Sequence, residues 1–86
     1  MAIKVLAEEE TVSNTTPESI SSAIAVRLYN NNAGDVLVGR YDESNTIIGS
    51  TTVKAGTEMI FLKNSTDLIM VIGGAQIKAT KIAVGV

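Results

Sequence analysis

The sequence predicts an all-β protein, a small antiparallel β-sandwich or barrel of roughly 6–8 strands. Clusters of Gly, Asn, Asp, Ser and Thr recur about every 8–12 residues, with β-branched apolar runs between them, a spacing typical of such folds. The chain has 86 residues, enough for one small domain. We expect an N-terminal strand and an acidic, Ser/Thr-rich segment over 1–22, which forms an arm in one interpretation, and a β-sandwich domain over 23–86.

The early strands follow from alternation. Residues 2–6 form a short first strand, and residues 23–30 alternate so that positions 24, 26 and 28 face one side and the residues between them face the other. The Asn-rich segment 30–35 contains residues that tolerate positive φ, which suits a hairpin loop. Residues 36–42 then form the next strand, which the polar residues 42–45 close.

Glycines mark the middle of the chain. Residues 46–53 read as a strand in which Gly49 indicates a bulge or a close approach of another backbone. Residues 54–57 indicate a tight hairpin with Gly56 in the left-handed region, because glycine adopts that conformation without steric cost.

The last three strands are more apolar. Residues 58–63 carry apolar side chains on both faces, which predicts a central strand. Residues 67–72 are continuously apolar, so this strand is either central or covered by a neighbouring subunit. Residues 75–86 end the chain as a final strand.

The acidic segment 7–22 interrupts this pattern. It contains the single proline, and Thr16-Pro17-Glu18 fits the start of a helical turn with Thr16 as its cap. Two interpretations remain open for residues 1–22. They form either a solvated loop or an extended arm that adds a strand to a neighbour's sheet.

The composition disfavours an enzyme. The sequence has no His, Cys or Trp, and most hydrolytic mechanisms and zinc sites need His or Cys. A hydroxyl nucleophile with an amine base is suggested by Lys63, Ser65 and Asp67. The polar residue types of this segment, however, also cap tight turns. We predict a turn here, with no catalytic residue and no cofactor.

Other ligand classes are also disfavoured. Glu8, Glu9 and Glu10 point alternately to opposite faces if extended, and residues 42–45 lack the spacing of a calcium loop, so we expect no metal site. The seven basic residues are scattered, which argues against nucleic acid. No apolar stretch reaches the roughly 18–20 residues of a membrane span, and the first residues do not resemble a signal peptide.

Hydrophobic residues make up 45% of the chain, more than a domain this small can readily hide. We therefore expect a homo-oligomer or a larger assembly. The predicted interface residues are apolar and lie in the first strand and in the 67–72 strand: Ile3, Val5, Leu6, Ile69, Met70 and Val71.

The order of motifs carries a resemblance. The chain reads VRLYNNNAGDVLV over 26–38, then IIGSTTVKAGTEMIFLKNSTDLI over 47–69, and IKATKIAV over 77–84. This succession of strands and turns resembles the small β-sandwich virion proteins of tailed phages that infect marine bacteria and cyanobacteria. The resemblance covers roughly residues 23–84 and leaves the N-terminal 22 residues outside it.

The resemblance implies a virion component that is synthesised in the bacterial host cytoplasm. A capsid decoration protein is the first expectation, with copies of itself and the major capsid protein as partners. A tail, neck or fibre subunit that contacts tail or portal components is the alternative. A small carbohydrate-binding adhesion module is a rival from another class, and in it Tyr29 and Tyr41 would flank one end of a sheet. An oligonucleotide-binding barrel and a hydrolase are weaker rivals.

Overall fold

Two antiparallel sheets pack face to face in the computed structural model, which describes residues 2–84. The eight strands of this part of the chain are, in order, β1 (Ile3–Val5), β2 (Glu10–Val12), β3 (Ala25–Tyr29), β4 (Val36–Tyr41), β5 (Ile47–Val53), β6 (Glu58–Leu62), β7 (Leu68–Ile72) and β8 (Ile77–Val84). No helix occurs among them. The all-β sandwich predicted from the sequence is therefore confirmed.

The first sheet has five strands. Its central strands are β8 and β3, and β6 forms one edge. The other edge is shared, because β1 pairs with residues 82–84 of β8 while β2 pairs with residues 77–79. The second sheet has the order β5-β4-β7.

The N-terminal segment connects the two sheets along one side of the sandwich. After β2, the chain crosses to the outer side of β7, where the N–H of Val71 donates to the carbonyl of Ser13 at 2.9 Å. Glu18 and Ile69 then exchange two backbone hydrogen bonds, of 3.0 and 2.8 Å. β7 is thus paired with β4 on one side and covered by its own chain on the other.

The core lies between the sheets and consists mainly of β-branched side chains. In β3 the alternation places Val26 and Leu28 inward, as predicted, and valines of β4 and β7 face them from the second sheet. Ile24, predicted on the same side, precedes β3 and is largely exposed. Val12 and Ile20 belong to the same core. The packing therefore gives no boundary at residue 22, and the structure places β1 and β2 in the sheet of their own chain. Strand addition to a neighbour stays a prediction.

Several local predictions are confirmed. Gly56 has a φ of 72° and lies in a turn closed by the N–H of Thr57 donating to the carbonyl of Lys54. Arg40 pairs with Gly49 and Tyr41 with Ile47, so Ile48 is the extra residue of a bulge next to Gly49. β4 and β5 form a true hairpin, since these consecutive strands pair antiparallel. Oδ1 of Asp42 accepts from the backbone N–H groups of Ser44 and Thr46 and stabilises the loop.

Three predictions about the connections between strands are wrong. Residues 30–35 and 54–57 are not hairpin loops, because each joins a strand of one sheet to a strand of the other. The prediction of a helical turn at Thr16 is also wrong, because Glu18 forms a β-bridge with Ile69 instead. The chain turns at 20–22, where Ile20, Ser21 and Ser22 have φ values of 53°, 56° and 56°. Burying the side chain of Ile20 in the core stabilises this strained turn.

The position of β6 in its sheet also differs from the prediction. This strand pairs only with β3 within residues 2–84 and is therefore an edge strand, not a central one. Met59 and Phe61 pack against the core, whereas Leu62 faces outward. One apolar face of β6 therefore packs on the core, and the other lies on the surface. Apolar side chains on both faces do not by themselves identify a central strand.

A buried asparagine joins the loops at one end of the sandwich. Asn30 is fully buried, and its Nδ2 donates to the carbonyls of Gly34 and Val53, both at 2.9 Å. Its Oδ1 accepts from the backbone and side-chain N–H groups of Asn32. Asn30 therefore satisfies backbone groups in both connections at this end.

We expect Asn30→Ala to lower the free energy of unfolding by about 2–3 kcal/mol, because it leaves buried carbonyls without a donor. Urea denaturation followed by circular dichroism measures the change. Asn31→Ala is the matched control, since Asn31 is exposed and should change stability by less than about 0.5 kcal/mol. Equal effects of the two substitutions would contradict the role given to Asn30.

Candidate functional site

The segment from Lys63 to Asp67 is the first candidate, because it places an amine, a hydroxyl and a carboxylate close together in the sequence. Lys63 directly follows β6 and is only 6% exposed. Its Nζ donates to the carbonyl of Ala23 at 2.7 Å and to that of Asp67 at 2.8 Å. The ammonium is therefore held by backbone oxygens.

The carboxylate of Asp67 is also occupied. Its Oδ2 accepts from Nη1 of Arg40 at 3.0 Å and from the backbone N–H of Asn64 at 3.0 Å. Ser65 lies on the exposed part of the turn, and no hydrogen bond within residues 2–84 joins it to Lys63. The geometry is that of a capped turn, and it assembles no hydroxyl–amine dyad.

The electrostatics of Lys63 follow from this burial. Loss of hydration lowers the pKa of Lys63, the nearby carboxylate of Asp67 opposes that shift, and the charge of Lys81 adds to it. A lowered amine pKa is also a property of catalytic lysines. Here the amine is covered and its donors are directed at main-chain carbonyls, so the physical role is to tie the first sheet to the second.

Neighbouring glutamates of the acidic segment face different side chains in the structure. Oε2 of Glu9 lies 3.9 Å from Nη1 of Arg27, while Glu10 faces Glu18. Burial raises the pKa of Glu10, and the charge and hydrogen bond of Glu18 raise it further. The part of the chain that the structure describes contains no group of three or more acidic side chains arranged to hold a metal ion.

The two tyrosines do not form one platform. Tyr29 ends β3, whose next connection leads into β4, and Tyr41 lies at the far end of β4. The residues are therefore at opposite ends of the sandwich and in different sheets, so the expectation that they flank one sheet end is wrong. Tyr29 lies beside Arg27, whose guanidinium is 5.4 Å from the ring centre, and Tyr41 is nearly buried against Gly39.

The predicted interface residues divide into two groups. Ile69 and Val71 point into the core and are 0% and 1% exposed, which removes them from any interface. Met70 alternates with them and lies half-buried on the outer face of the second sheet. Ile3, Val5 and Leu6 are exposed, and their part in an interface stays a prediction.

An apolar surface at one end of the first sheet is the strongest candidate site. Leu62 and Ile24 are 68% and 65% exposed there, and Leu6 and Val84 complete the rim of a groove of about 230 Å³. We call these four residues the end patch. The floor of the groove is also apolar and consists of Ala25, Ile82 and Ala83.

The end patch exists because the first sheet extends beyond the core. β1 pairs with the last residues of β8, and all three of its residues are exposed. Sequence reasoning identified Leu6 but missed Ile24, Leu62 and Val84. The signal for Leu62 is the apolar character of residues 58–63 on both faces, which fits an edge strand with one exposed apolar face as well as a central strand.

No helix of residues 2–84 has the length and apolarity needed to cross a membrane. Comparisons with protein-family models, curated proteins and solved structures find no match to the chain.

We expect Lys63→Met to lower the free energy of unfolding by at least about 2 kcal/mol, because the carbonyls of Ala23 and Asp67 lose their donor. Chemical denaturation at neutral pH measures this change. Ser65→Ala is the control and should alter stability by less than about 0.5 kcal/mol. A larger effect from Ser65→Ala would argue that the hydroxyl has a role that the turn does not explain.

The pKa of Glu10 predicts a pH-dependent effect. A folded-state pKa above the ordinary value of 4.5 stabilises the fold at low pH, and this contribution is lost as the pH rises through the raised value. Glu10→Gln should therefore increase stability at pH 7 by less than about 1 kcal/mol, since solvent screens this pair, and should have no effect well below pH 4.5.

Thermal unfolding of wild type and variant between pH 3 and pH 7 measures this difference. Glu8→Gln is the control on an exposed neighbour. A stabilisation by Glu10→Gln that is equal at both ends of the pH range would contradict the assigned cause.

Proposed function

We propose that this chain is a structural protein of a tailed-phage virion, a decoration protein that attaches to the capsid shell. The observation that carries the proposal is the end patch, where Leu62 and Ile24 are more than 60% exposed at one site. Isolated exposed apolar residues are ordinary, but a contiguous group typically marks a contact surface. The sequence resemblance supplies the virion setting.

The mechanism is mechanical. Each copy would bury the end patch against shell subunits, and the summed contacts of many copies would oppose expansion of the shell. The molecule measures 34 × 31 × 20 Å, so a broad face is large enough for the roughly 800 Å² per partner of a standard interface. Lys63 and Asn30 hold the two sheets together at opposite ends, which suits a part that must transmit force without opening.

Apolar side chains form both the rim and the floor of the end patch. The ion pair of Arg27 with Glu58 lies toward the other end of β6 and is not part of this surface. An apolar centre is typical of the buried core of a protein–protein interface.

A location in the tail or neck is the alternative, since the same surface would serve either partner. Antibodies against the purified protein, applied to intact virions of the encoding phage, distinguish the two by electron microscopy. Label over the capsid supports decoration, label over the tail or neck supports the alternative, and virions without label would overturn the virion proposal.

We expect Leu62→Lys to weaken attachment to shells that lack the protein by at least about tenfold, because burial of one large apolar side chain contributes about 1.5–3 kcal/mol. Cosedimentation with the shells measures this. Asn31→Lys, in an exposed loop at the opposite end of the sandwich, is the control and should attach like wild type. Equal loss in both variants would show that the end patch is not the contact.

A further inference from the structure

β5 is an open sheet edge. It is the outer strand of the second sheet, and within residues 2–84 it pairs only with β4. Val53 is the one buried residue of β5. On the side of β5 that faces away from β4, alternate backbone N–H and C=O groups face solvent. A further β-strand can pair with this arrangement.

This edge has little protection against pairing. Natural edge strands are usually interrupted by charge, proline or bulges, yet residues 46–53 contain no charged residue and no proline. The bulge at Ile48 lies toward one end, and residues 49–53 pair regularly with β4. The other edges differ, because β6 carries the ion-paired Glu58 and residues 13–18 lie along β7. The remaining edge consists of β1 and β2, which are three residues long and carry Lys4 and Glu10.

We propose that β5 pairs antiparallel with β5 of a second copy of this chain about a two-fold axis. The three strands of each second sheet would then form one continuous six-stranded sheet. The inference rests on the proposed function, because it names the surface through which the structural subunits join to each other, distinct from the end patch.

The side chains of β5 favour a second copy as the partner. A two-fold axis places a strand opposite itself, so any charge near the axis would meet a like charge, and β5 has none. With the axis near Ser50 or Thr51, hydroxyl and β-branched side chains lie opposite one another, which stabilises antiparallel pairs. An uncharged edge also offers nothing that would select a charged foreign strand.

Pairing would also join two apolar outer faces. Leu37 and Ile72 lie side by side on the outer face of the second sheet, each 38% exposed, and Ile47 of β5 is on the same face. In the dimer Ile47 of each copy lies in one of the two central strands, while Leu37 and Ile72 lie one and two strands further out. The proposed pairing therefore puts the apolar outer faces of both second sheets on one face of a continuous sheet.

Introduction of a charge of either sign at Ser50 tests the proposal. Wild type should sediment at twice the monomer mass of 9.0 kDa at high concentration. Ser50→Lys and Ser50→Glu should each weaken dimerisation at least about tenfold, since two like charges then lie opposite or diagonal across the axis. An equimolar mixture of the two variants should restore the dimer.

Ser65→Lys is the matched control, because it places the same charge on an exposed turn away from β5, and it should dimerise like wild type. Circular dichroism checks that each variant is folded. A monomeric wild type, or a mixture of Ser50→Lys and Ser50→Glu that stays monomeric, would overturn the inference.

Shell attachment separates this inference from the proposed function. A chain that attaches to shells but does not dimerise through β5 overturns the dimer alone. A chain that dimerises but neither attaches to shells nor labels virions overturns the virion proposal and leaves the β5 interface standing.

Discussion

The chain crosses between the two sheets at both ends of the sandwich, and each crossing brings backbone N–H and C=O groups to the margin of an apolar core. Such groups must be hydrogen-bonded, because an unpaired one costs about 1–3 kcal/mol. Asn30 supplies these bonds at one end and Lys63 at the other, and each contacts segments of both sheets. The alignment of the sheets, and hence of the outer surfaces, depends on these two polar side chains.

The N-terminal segment makes the sandwich asymmetric. β2 completes the first sheet and residues 13–18 lie along β7 of the second, so one side of the sandwich is covered by the chain itself. On the other side, β5 and β6 have no such cover within residues 2–84. The candidate contact surfaces follow from this asymmetry, since the N-terminal segment leaves the β5 edge open while β1 extends the first sheet beyond the core.

Residues with reactive chemistry are used here to stabilise structure. The ammonium of Lys63 is desolvated and directed at carbonyls, and the carboxylate of Asp67 binds Arg40 and a turn N–H. In a small domain such buried networks specify one arrangement of loops, because a partly satisfied network would be costly. The exposed surfaces of the described residues then include apolar side chains and an open main-chain edge.

Local chemistry determined the fold class, most strand positions, the left-handed turn at Gly56 and the bulge beside Gly49, because alternation and glycine preference act over a few residues. It also indicated that Lys63 to Asp67 form a turn. Only the tertiary structure decided that β6 is an edge, that Ile69 and Val71 are core, and that Ile24 and Leu62 form a surface. Sheet order depends on contacts between residues far apart in the chain, and an apolar side chain reads the same in the sequence whether the core or a partner covers it.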